Sequence, residues 1–386
     1  MCKRNSHSLW DLMELKHKVC NFWRPVCVEE CMRRTVLRVG SAVLFLCASA
    51  TAFGLSQENT QRVATSERIA VPVIRVSSQL VVLDVLVKNK KTGAPIDTLE
   101  AKDFLVREDG VLQQITAFSR DTLPLSVVFL FDLTDTVRPV LKPLAEGASE
   151  ILGHLKPQDQ VAIMVFSSHT ELLQDFTRDH SLAAAAIAKA SDMKSGEGTF
   201  IHEDMYEAVE QAMKSTPAES RRVLVWLTDG TANLENSFTQ KTIGQGAPTY
   251  LHNKQEAMNT LLQSGVAVAA LIDRSPATDA FVAASYATPL ALMFAARVGD
   301  ISHYADMTGG PLLNTSKKEV AARLAELLDQ LRARYTLSYV PSGAKPAGTF
   351  CKTEVTLAAN AYKEHAGLRK SEAAVRTRRG YYRGGE

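Results

Sequence analysis

The sequence predicts an α/β protein with a doubly wound, mostly parallel sheet inserted between two flanking β segments. Between residues 125 and 334, apolar strand-like runs alternate with helix-forming segments, and such alternation requires crossover connections and a parallel sheet covered on both faces. Residues 71–121 and 336–386 are instead rich in β-branched residues and turn signals. Because the first flank is small for an independent domain, we expect the two flanks to form one β-sandwich.

Composition and charge exclude several classes of protein. The 386-residue chain is 46% hydrophobic and 22% charged, which excludes collagen-like, disordered and polytopic membrane proteins. The formal net charge is +2, but residues 1–52 carry eight basic and four acidic residues, so residues 53–386 carry a net −2. This balance provides no electrostatic basis for binding nucleic acid. Five of the six cysteines also lie in the first 52 residues, so no intrachain disulfide is possible beyond them.

An amino-terminal segment has the three-part pattern of a secretory signal peptide. Arg33 and Arg34 form a basic start, residues 39–48 form an apolar run, and Ala-Thr-Ala at residues 50–52 forms a small-x-small cleavage pattern. The apolar run is shorter than the ~20 residues of a membrane-spanning helix. We therefore expect residues 32–52 to direct export to the periplasm, cell envelope or exterior, with no membrane span after cleavage. A short uncleaved anchor is the alternative.

The same pattern suggests how the whole chain is organised. Because a signal peptide should begin a protein, we expect Met32 to be the true start and residues 1–31 to be an extension of the gene model. The predicted organisation beyond the signal is a flexible leader (53–70), a first β segment (71–121), the α/β domain (122–335) and a second β segment (336–386).

The first flank contains β-branched runs separated by turn-forming residues. The predicted strands are Ile74–Val76, Leu80–Val87, Phe104–Val106 and Gln114–Phe118. We expect Glu108-Asp109-Gly110 to form a hairpin turn between the last two strands. The second flank has the same texture. Its predicted strands are Tyr335–Val340, Glu354–Leu357 and Ala374–Thr377.

The central region combines continuous apolar runs, typical of buried parallel strands, with helical segments. The predicted strands are Leu125–Phe131, Val161–Phe166, Val223–Leu227, Val266–Ile272 and Pro311–Leu313. The predicted helices are Val137–Leu155, Ser181–Ala190, Glu203–Lys214, Lys254–Ser264, Ser302–Met307 and Lys317–Arg334. Asp179 or Ser181, and Ser316, are the expected amino-terminal caps, and Gly265 is an expected stop.

Three polar groups follow or adjoin predicted parallel strands. The segment Asp132–Thr136 follows the first strand, Gly196–Thr199 lies in a loop, and Asp229-Gly230 follows the third buried strand. Open α/β sheets place their ligand sites at the carboxyl ends of the strands, so we expect these groups to converge. Their carboxylate and hydroxyl oxygens suit Mg²⁺, Mn²⁺ or Ca²⁺. No His or Cys pairing accompanies them to indicate zinc.

Over roughly residues 122–335, the chain resembles a von Willebrand factor type A domain. That family carries Asp-x-Ser-x-Ser after its first strand, a Thr in a middle loop and Asp-Gly after a later strand. Together these form its metal-ion-dependent adhesion site. The matching positions are Asp132, Thr134, Thr136, Thr199 and Asp229. Thr replaces Ser at both hydroxyl positions of the first motif, which keeps the hydroxyl ligands but narrows the site.

The resemblance implies a binding protein without catalytic residues rather than an enzyme. In the family, the bound metal keeps one coordination position open for an Asp or Glu carboxylate of a protein partner. The chain is thus expected to act in adhesion. The flanking segments Phe104–Gly110 and Tyr335–Tyr339 also resemble exported von Willebrand type A-related proteins of acidobacteria.

Each motif alone has a simpler interpretation. Asp132 and Thr134 could cap the following helix, Thr199 could be a loop residue, and Asp229-Gly230 could form a turn. Their occurrence together, in order and at strand ends, favours a site. We interpret residues 202–204 as dipole-favoured residues at a helix start rather than ligands. Asp135 is interpreted as a solvated loop charge.

Other functions receive less support from the sequence. A metal-free scaffold of the same fold is one alternative. A haloacid-dehalogenase-type phosphatase is another, because Asp132–Thr136 resembles its Asp-x-Asp-x-Thr motif. However, the second carboxylate, which would serve as acid/base, is one residue late. There is no Gly-x-Ser-x-Gly elbow for a serine hydrolase and no Gly-rich phosphate loop for a nucleotide-binding protein.

Overall fold

A computed structural model of the chain describes residues 80–120, 123–194, 199–217, 220–230, 252–274, 300–365 and 368–384. The segments outside it include residues 1–79, with the predicted signal peptide, leader and first strand, and the loop residues Gly196–Gly198. No described helix combines the length and the apolar character that a bilayer span requires.

The described elements alternate through the central part of the chain and are mostly β at either end. The strands are β1 (Val81–Asn89), β2 (Phe104–Glu108), β3 (Val111–Gln113), β4 (Ile115–Arg120), β5 (Leu125–Asp132), β6 (Gln160–Phe166), β7 (Thr170–Thr177), β8 (Arg221–Thr228), β9 (Ala267–Asp273), β10 (Leu312–Thr315), β11 (Arg334–Tyr339), β12 (Phe350–Leu357), β13 (Ala373–Arg376) and β14 (Gly380–Tyr382). The helices are α1 (Arg138–Glu146), α2 (Ala148–Leu152), α3 (His180–Asp192), α4 (Ile201–Met213), α5 (Lys254–Ser264), α6 (Asp300–Thr308), α7 (Val320–Arg332) and α8 (Ala361–Glu364).

The central sheet has six strands in the order β10-β9-β8-β5-β6-β7. Its neighbours are parallel except β7, which runs antiparallel to β6. Every residue of β5, β6 and β9 is buried, because helices cover both faces. One face packs on α1, α2, α3 and α7, and the other on α4, α5 and α6. The predicted doubly wound, mostly parallel sheet is therefore confirmed.

The flanking segments form two antiparallel sheets that share a core. Their strand orders are β13-β1-β11-β4 and β14-β12-β2-β3, so each sheet combines strands from before and after the central domain. In the core between them, the rings of Phe104 and Tyr335 pack with centroids 5.1 Å apart. The Tyr335 hydroxyl donates to the carbonyl of Ile96 at 2.8 Å and accepts from the Leu99 amide at 3.0 Å. The hydroxyl of this buried ring is thus satisfied both as a donor and as an acceptor.

Two of the predicted helices differ from the structure by more than two residues at an end. The helix predicted at Val137–Leu155 is two helices, because the chain breaks at Gly147 between α1 and α2. The helix predicted at Lys317–Arg334 is shorter, because Glu319 rather than Ser316 occupies its amino-terminal cap and Arg334 begins β11. Arg334 consequently belongs to the sandwich.

The predicted hairpin joins a different strand from the one expected. Asp109 and Gly110 have φ values of 48° and 85°, the left-handed conformation that a two-residue hairpin turn needs. The turn connects β2 to the short β3, while β4 pairs with β11 in the other sheet. Strand β7 was not predicted at all, since its half-exposed residues lack a continuous apolar run.

Candidate metal site

Two buried carboxylates lie at one edge of the central sheet. Asp132 is the last residue of β5, and Asp229 directly follows β8. These strands are parallel neighbours with Phe131 opposite Leu227, so both aspartates emerge at the same edge. Asp132 is 0% exposed and Asp229 is 1% exposed.

Hydrogen bonds hold the Asp132 carboxylate from two sides. Its Oδ1 accepts the backbone N–H of Thr134 at 2.8 Å and the Thr134 hydroxyl at 2.6 Å. Its Oδ2 accepts the hydroxyl of Thr228 at 2.9 Å. The Thr228 oxygen in turn accepts the Gly230 amide at 3.0 Å. The orientation of Asp132 is thus tied to the loop that carries Asp229.

The second hydroxyl of the first motif reaches Asp229. Thr136 Oγ1 donates to Asp229 Oδ2 at 2.6 Å, and it lies 3.2 Å from Thr134 Oγ1. The structure therefore brings Asp132, Thr134, Thr136 and Asp229 into one hydrogen-bonded cluster. Four of the five positions predicted as ligands are neighbours in space.

Thr199, the fifth predicted ligand, lies just before Phe200, the amino-terminal cap residue of α4, and is 1% exposed. Helix α4 packs against β5 and β8, the strands that carry Asp132 and Asp229. This position puts Thr199 at the start of the helix that covers the site strands. Its role as a ligand stays a prediction.

The electrostatics of the cluster favour a bound cation. Burial, together with the charge of Asp229, raises the pKa of Asp132 to about 7, although hydrogen bonds from Thr134 and Thr228 oppose the rise. A divalent cation between the two carboxylates would offset both the desolvation and the repulsion. All the clustered donor atoms are oxygens of carboxylates and hydroxyls, the set that Mg²⁺ and Ca²⁺ prefer. The residues present therefore fit the predicted metal.

The charged residues at the start of α4 have other partners. The backbone N–H of His252 donates to Glu203 at 2.7 Å, and the Thr170 hydroxyl donates to Asp204 at 2.8 Å. His202 Nδ1 lies 2.8 Å from the hydroxyl of Tyr304. Glu203 and Asp204 lie in the first turn of α4, as the sequence indicated.

Two residues near the site were missed by the sequence reasoning. Thr228 directly follows the predicted strand Val223–Leu227 and is not among the predicted ligands, yet it is fully buried and bonds to Asp132. Asp273 is a fully buried carboxylate at the end of β9, which neighbours β8 with Ile272 opposite Thr228. Asp132 is recognisable in the sequence as a polar residue directly after an apolar strand. The same pattern identifies Asp273, which directly follows the predicted strand Val266–Ile272.

A second acidic group lies in the sandwich. Ligand atoms of Glu108, Asp109 and Cys351 come within 4.8 Å of one another. However, Asp109 is paired with Lys345, and Glu108 accepts the hydroxyls of Tyr339 at 2.7 Å and Tyr381 at 2.9 Å. These carboxylates already have strong partners, so the cluster at the central sheet is the better candidate.

The family comparison agrees with this fold. Residues 127–231 match the family model of the von Willebrand factor type A domain, a range that contains all five predicted ligands. The chain therefore contains a von Willebrand factor type A domain, a class whose members mediate protein–protein interaction, some of them through a metal-ion-dependent adhesion site. The narrower resemblance to acidobacterial proteins stays a prediction. No curated protein matches the sequence significantly.

Several solved structures are similar to the chain at low identity. BatB from Bacteroides thetaiotaomicron is 15% identical, with 54% of this chain and 99% of BatB covered and a TM-score of 0.36. The vWF domain of the type V pili tip protein Mfa5 from Porphyromonas gingivalis is 11% identical, with coverages of 58% and 99% and a TM-score of 0.37. Proximal thread matrix protein 1 from the mussel byssus, with a zinc-occupied MIDAS motif, is 13% identical, with coverages of 59% and 50% and a TM-score of 0.38.

Proposed function

We propose that this protein is an exported, non-enzymatic binding module that engages a protein partner through a divalent cation, Mg²⁺ or else Mn²⁺ or Ca²⁺. Asp132, Thr134, Thr136, Thr199 and Asp229 would hold the cation. The observation that carries the proposal is the hydrogen-bonded cluster in which two carboxylates, at most 1% exposed, share one sheet edge.

The chemistry of the donor set favours binding to an acidic partner. Two carboxylates neutralise a divalent cation only formally, and hydroxyl ligands add no charge, so the cation remains an attractive site for a further anionic ligand. An Asp or Glu carboxylate from another protein supplies that ligand. This chain's own residues would orient the cation and exclude water from its buried side.

Titration calorimetry with Mg²⁺, Mn²⁺ and Ca²⁺ tests the site. Asp132→Ala and Asp229→Ala should each remove measurable binding, because each deletes a buried charged ligand. Asp135→Ala is the matched control: it removes a carboxylate from the same loop, but Asp135 is exposed and should leave affinity unchanged. Retained affinity in both site variants with intact circular dichroism would contradict the assignment.

Partner binding needs its own measurement. Envelope proteins captured by the wild-type chain in Mg²⁺ should be released by EDTA, and the Asp132→Ala variant should not capture them. Capture that survives EDTA and this substitution would show that the interaction does not use the site.

The predicted export can be tested by sequencing the mature amino terminus. Cleavage after Ala52 should produce a chain beginning at Phe53. A mature chain that retains residues 32–52 would instead support the uncleaved anchor.

A metal-free scaffold is the second candidate. It is favoured by one observation: the Thr134 and Thr136 hydroxyls already satisfy oxygens of Asp132 and Asp229, so the cluster is closed by its own hydrogen bonds. Calorimetry separates the two functions, because the scaffold predicts no saturable heat with any of the three cations. For the phosphatase alternative, turnover of an aryl phosphate that Asp132→Asn abolishes is the discriminating result.

A further inference from the structure

Three cationic residues lie on one face of the sandwich sheet β13-β1-β11-β4. Leu86 on β1 is paired with Arg376 on β13 and with Arg334 on β11. Directly paired residues of antiparallel strands share a face, so the two arginines flank Leu86 on that face. Lys88 lies two residues further along β1 and shares it as well. Arg334 is only 2% exposed.

Several buried donors of this region lack an acceptor among the described residues. Arg334 Nη2 donates to the carbonyl of Gly309 at 3.0 Å, but its Nε and Nη1 have no acceptor within the part of the chain that is described. Arg376 Nη2 donates to Asp306 at 2.7 Å, whereas its Nε has none there. The same holds for the buried hydroxyl of Thr377. Buried donors are nearly always satisfied in native proteins, so those of Arg376 and Thr377, which line one cavity, point to a ligand.

Gly309 contacts both the Arg334 side chain and the backbone of Thr377. Its carbonyl accepts Arg334, and its Cα packs so closely on the backbone of Thr377 that an added Cβ would overlap it. A cavity of about 340 Å³ opens at this point. The residues that line it include Lys88, Asp306, Gly309, Glu354, Arg376 and Thr377.

Three cationic residues and two carboxylates line the cavity, since Arg379 adds to Lys88 and Arg376. Asp306 is already paired with Arg376, and Glu354 is exposed. Burial lowers the pKa of Arg334 to about 10, with Arg221 and Arg376 adding to the effect and Asp84 opposing it. Burial and then Arg376 also lower the pKa of Lys88, which Glu326 partly offsets. An anion in the cavity would relieve this repulsion.

We propose that this cavity binds a tetrahedral oxyanion, a phosphate or sulfate group, either free or carried on a larger molecule. Arg376, Thr377 and Lys88 contact it, and Arg334 supports it from behind Gly309. A carboxylate is the poorer fit, since its two oxygens offer about four acceptor sites in one plane. The unsatisfied N–H of Arg376 and O–H of Thr377 instead come from the end of β13, and the Lys88 ammonium group of β1 adds donors from a second strand. The site is separate from the aspartate cluster and does not depend on the proposed function.

Calorimetry on the full chain with inorganic phosphate and sulfate, against chloride at equal ionic strength, tests the proposal. Glycerol phosphate forms a further arm, and tighter binding of this ester than of free phosphate indicates a group carried on a larger molecule. Thr377→Val and Lys88→Gln should each weaken phosphate binding about tenfold or more, because each removes a donor to a charged acceptor.

Lys370→Gln is the matched control, because it removes an exposed charge outside the cavity and should leave phosphate affinity unchanged. The circular dichroism spectrum and the urea unfolding midpoint of Thr377→Val should equal those of the wild type, which shows that the variant is folded. The proposal is overturned if neither phosphate nor sulfate produces saturable heat, or if the control loses as much affinity as the two cavity variants.

Discussion

Asp132 combines full burial with a neighbouring carboxylate, which makes its ionised form costly in the metal-free protein. Its pKa is raised to about 7 from 3.8, so the folded state holds the proton more tightly than the unfolded chain does. Stability is therefore greatest below the unfolded pKa and is lost as the pH rises through the folded one. This electrostatic cost is the one expected of a cation site whose carboxylates are in place before the cation binds.

Asp132→Asn should stabilise the metal-free protein at high pH. The amide carries no charge, so in EDTA the stability of the variant relative to the wild type should rise by roughly a few kcal/mol as the pH rises from about 4 to above 7. Urea denaturation at a series of pH values measures this. A difference that is independent of pH would show that Asp132 is not the group responsible.

Thr228→Val should weaken Mg²⁺ binding while the fold is retained. The hydroxyl that orients Asp132 also accepts the Gly230 amide, so its loss frees both the carboxylate and the loop. Loss of such an outer partner lowers metal affinity by about tenfold or more. Calorimetry measures the effect, and Thr228→Ser should restore most of the affinity because it keeps the hydroxyl.

At the scale of residues, the sequence predicted the cluster from polar groups placed after apolar strands. Asp132 and Asp229 follow runs that are buried in every position but one at the start of β8, and such runs are visible without a structure. The role of Thr228 was not predictable in the same way. It depends on the register of β8 against β5, which places the Thr228 hydroxyl beside Asp132.

At the scale of elements, close backbone packing decides where glycine is required. A Cβ at Gly310, between α6 and β10, would overlap the carbonyl of Val268 on β9. Gly110, in the β2–β3 turn, has a φ of 85° but nothing within 4 Å of an added Cβ. A comparison of the two glycines therefore distinguishes the cost of steric overlap from the cost of a left-handed backbone.

Gly310→Ala should cost about 3 kcal/mol or more, because the backbone of a central strand cannot move aside. Gly110→Ala should cost only about 1 kcal/mol, the penalty of a left-handed conformation in open space. Chemical denaturation of both variants provides the comparison. Equal losses would mean that the approach of Gly310 to β9 is less tight than described.

Elements with continuous apolar runs were predictable, and those set by pairing were not. Strands β5, β6 and β9 carry such runs, and α5 ends at Gly265, whose φ of 75° suits a helix stop. Strand β7 is an edge strand with half-exposed residues, so its composition carries little signal. The assignment of β4 to a different sheet from β3 rests on long-range pairing with β11.

At the scale of the whole molecule, Arg221 links the central sheet to the sandwich. It begins β8, is 5% exposed, and forms an ion pair with Asp84 of β1 at 3.1 Å. Its guanidinium also donates to the carbonyl of Leu331 and to the hydroxyl of Thr336, both at 3.1 Å. One side chain thus connects β8, α7, β1 and β11.

Arg221→Met should destabilise the protein by about 3 kcal/mol, because it leaves Asp84 without its buried partner. We expect calorimetry to show one unfolding transition for the wild type and a broadened or divided one for the variant. Arg222→Met is the matched control, since Arg222 is half-buried and bonds only to Ser215 within the central domain among the contacts described here. An unchanged single transition in Arg221→Met would show that other contacts couple the two parts.

Each sheet of the sandwich combines strands from the beginning and the end of the chain. During synthesis, therefore, the sandwich can be completed only after the central sheet. β1 has β11 and β13 as neighbours, and β2 has β12 besides the adjacent β3, so both first strands emerge long before these late partners. The parallel sheet can close once β10 has been made, but both small sheets wait for the last residues. Until then their edges stay open to pairing with other chains, which is a hazard for any newly made copy that is crowded or cut short.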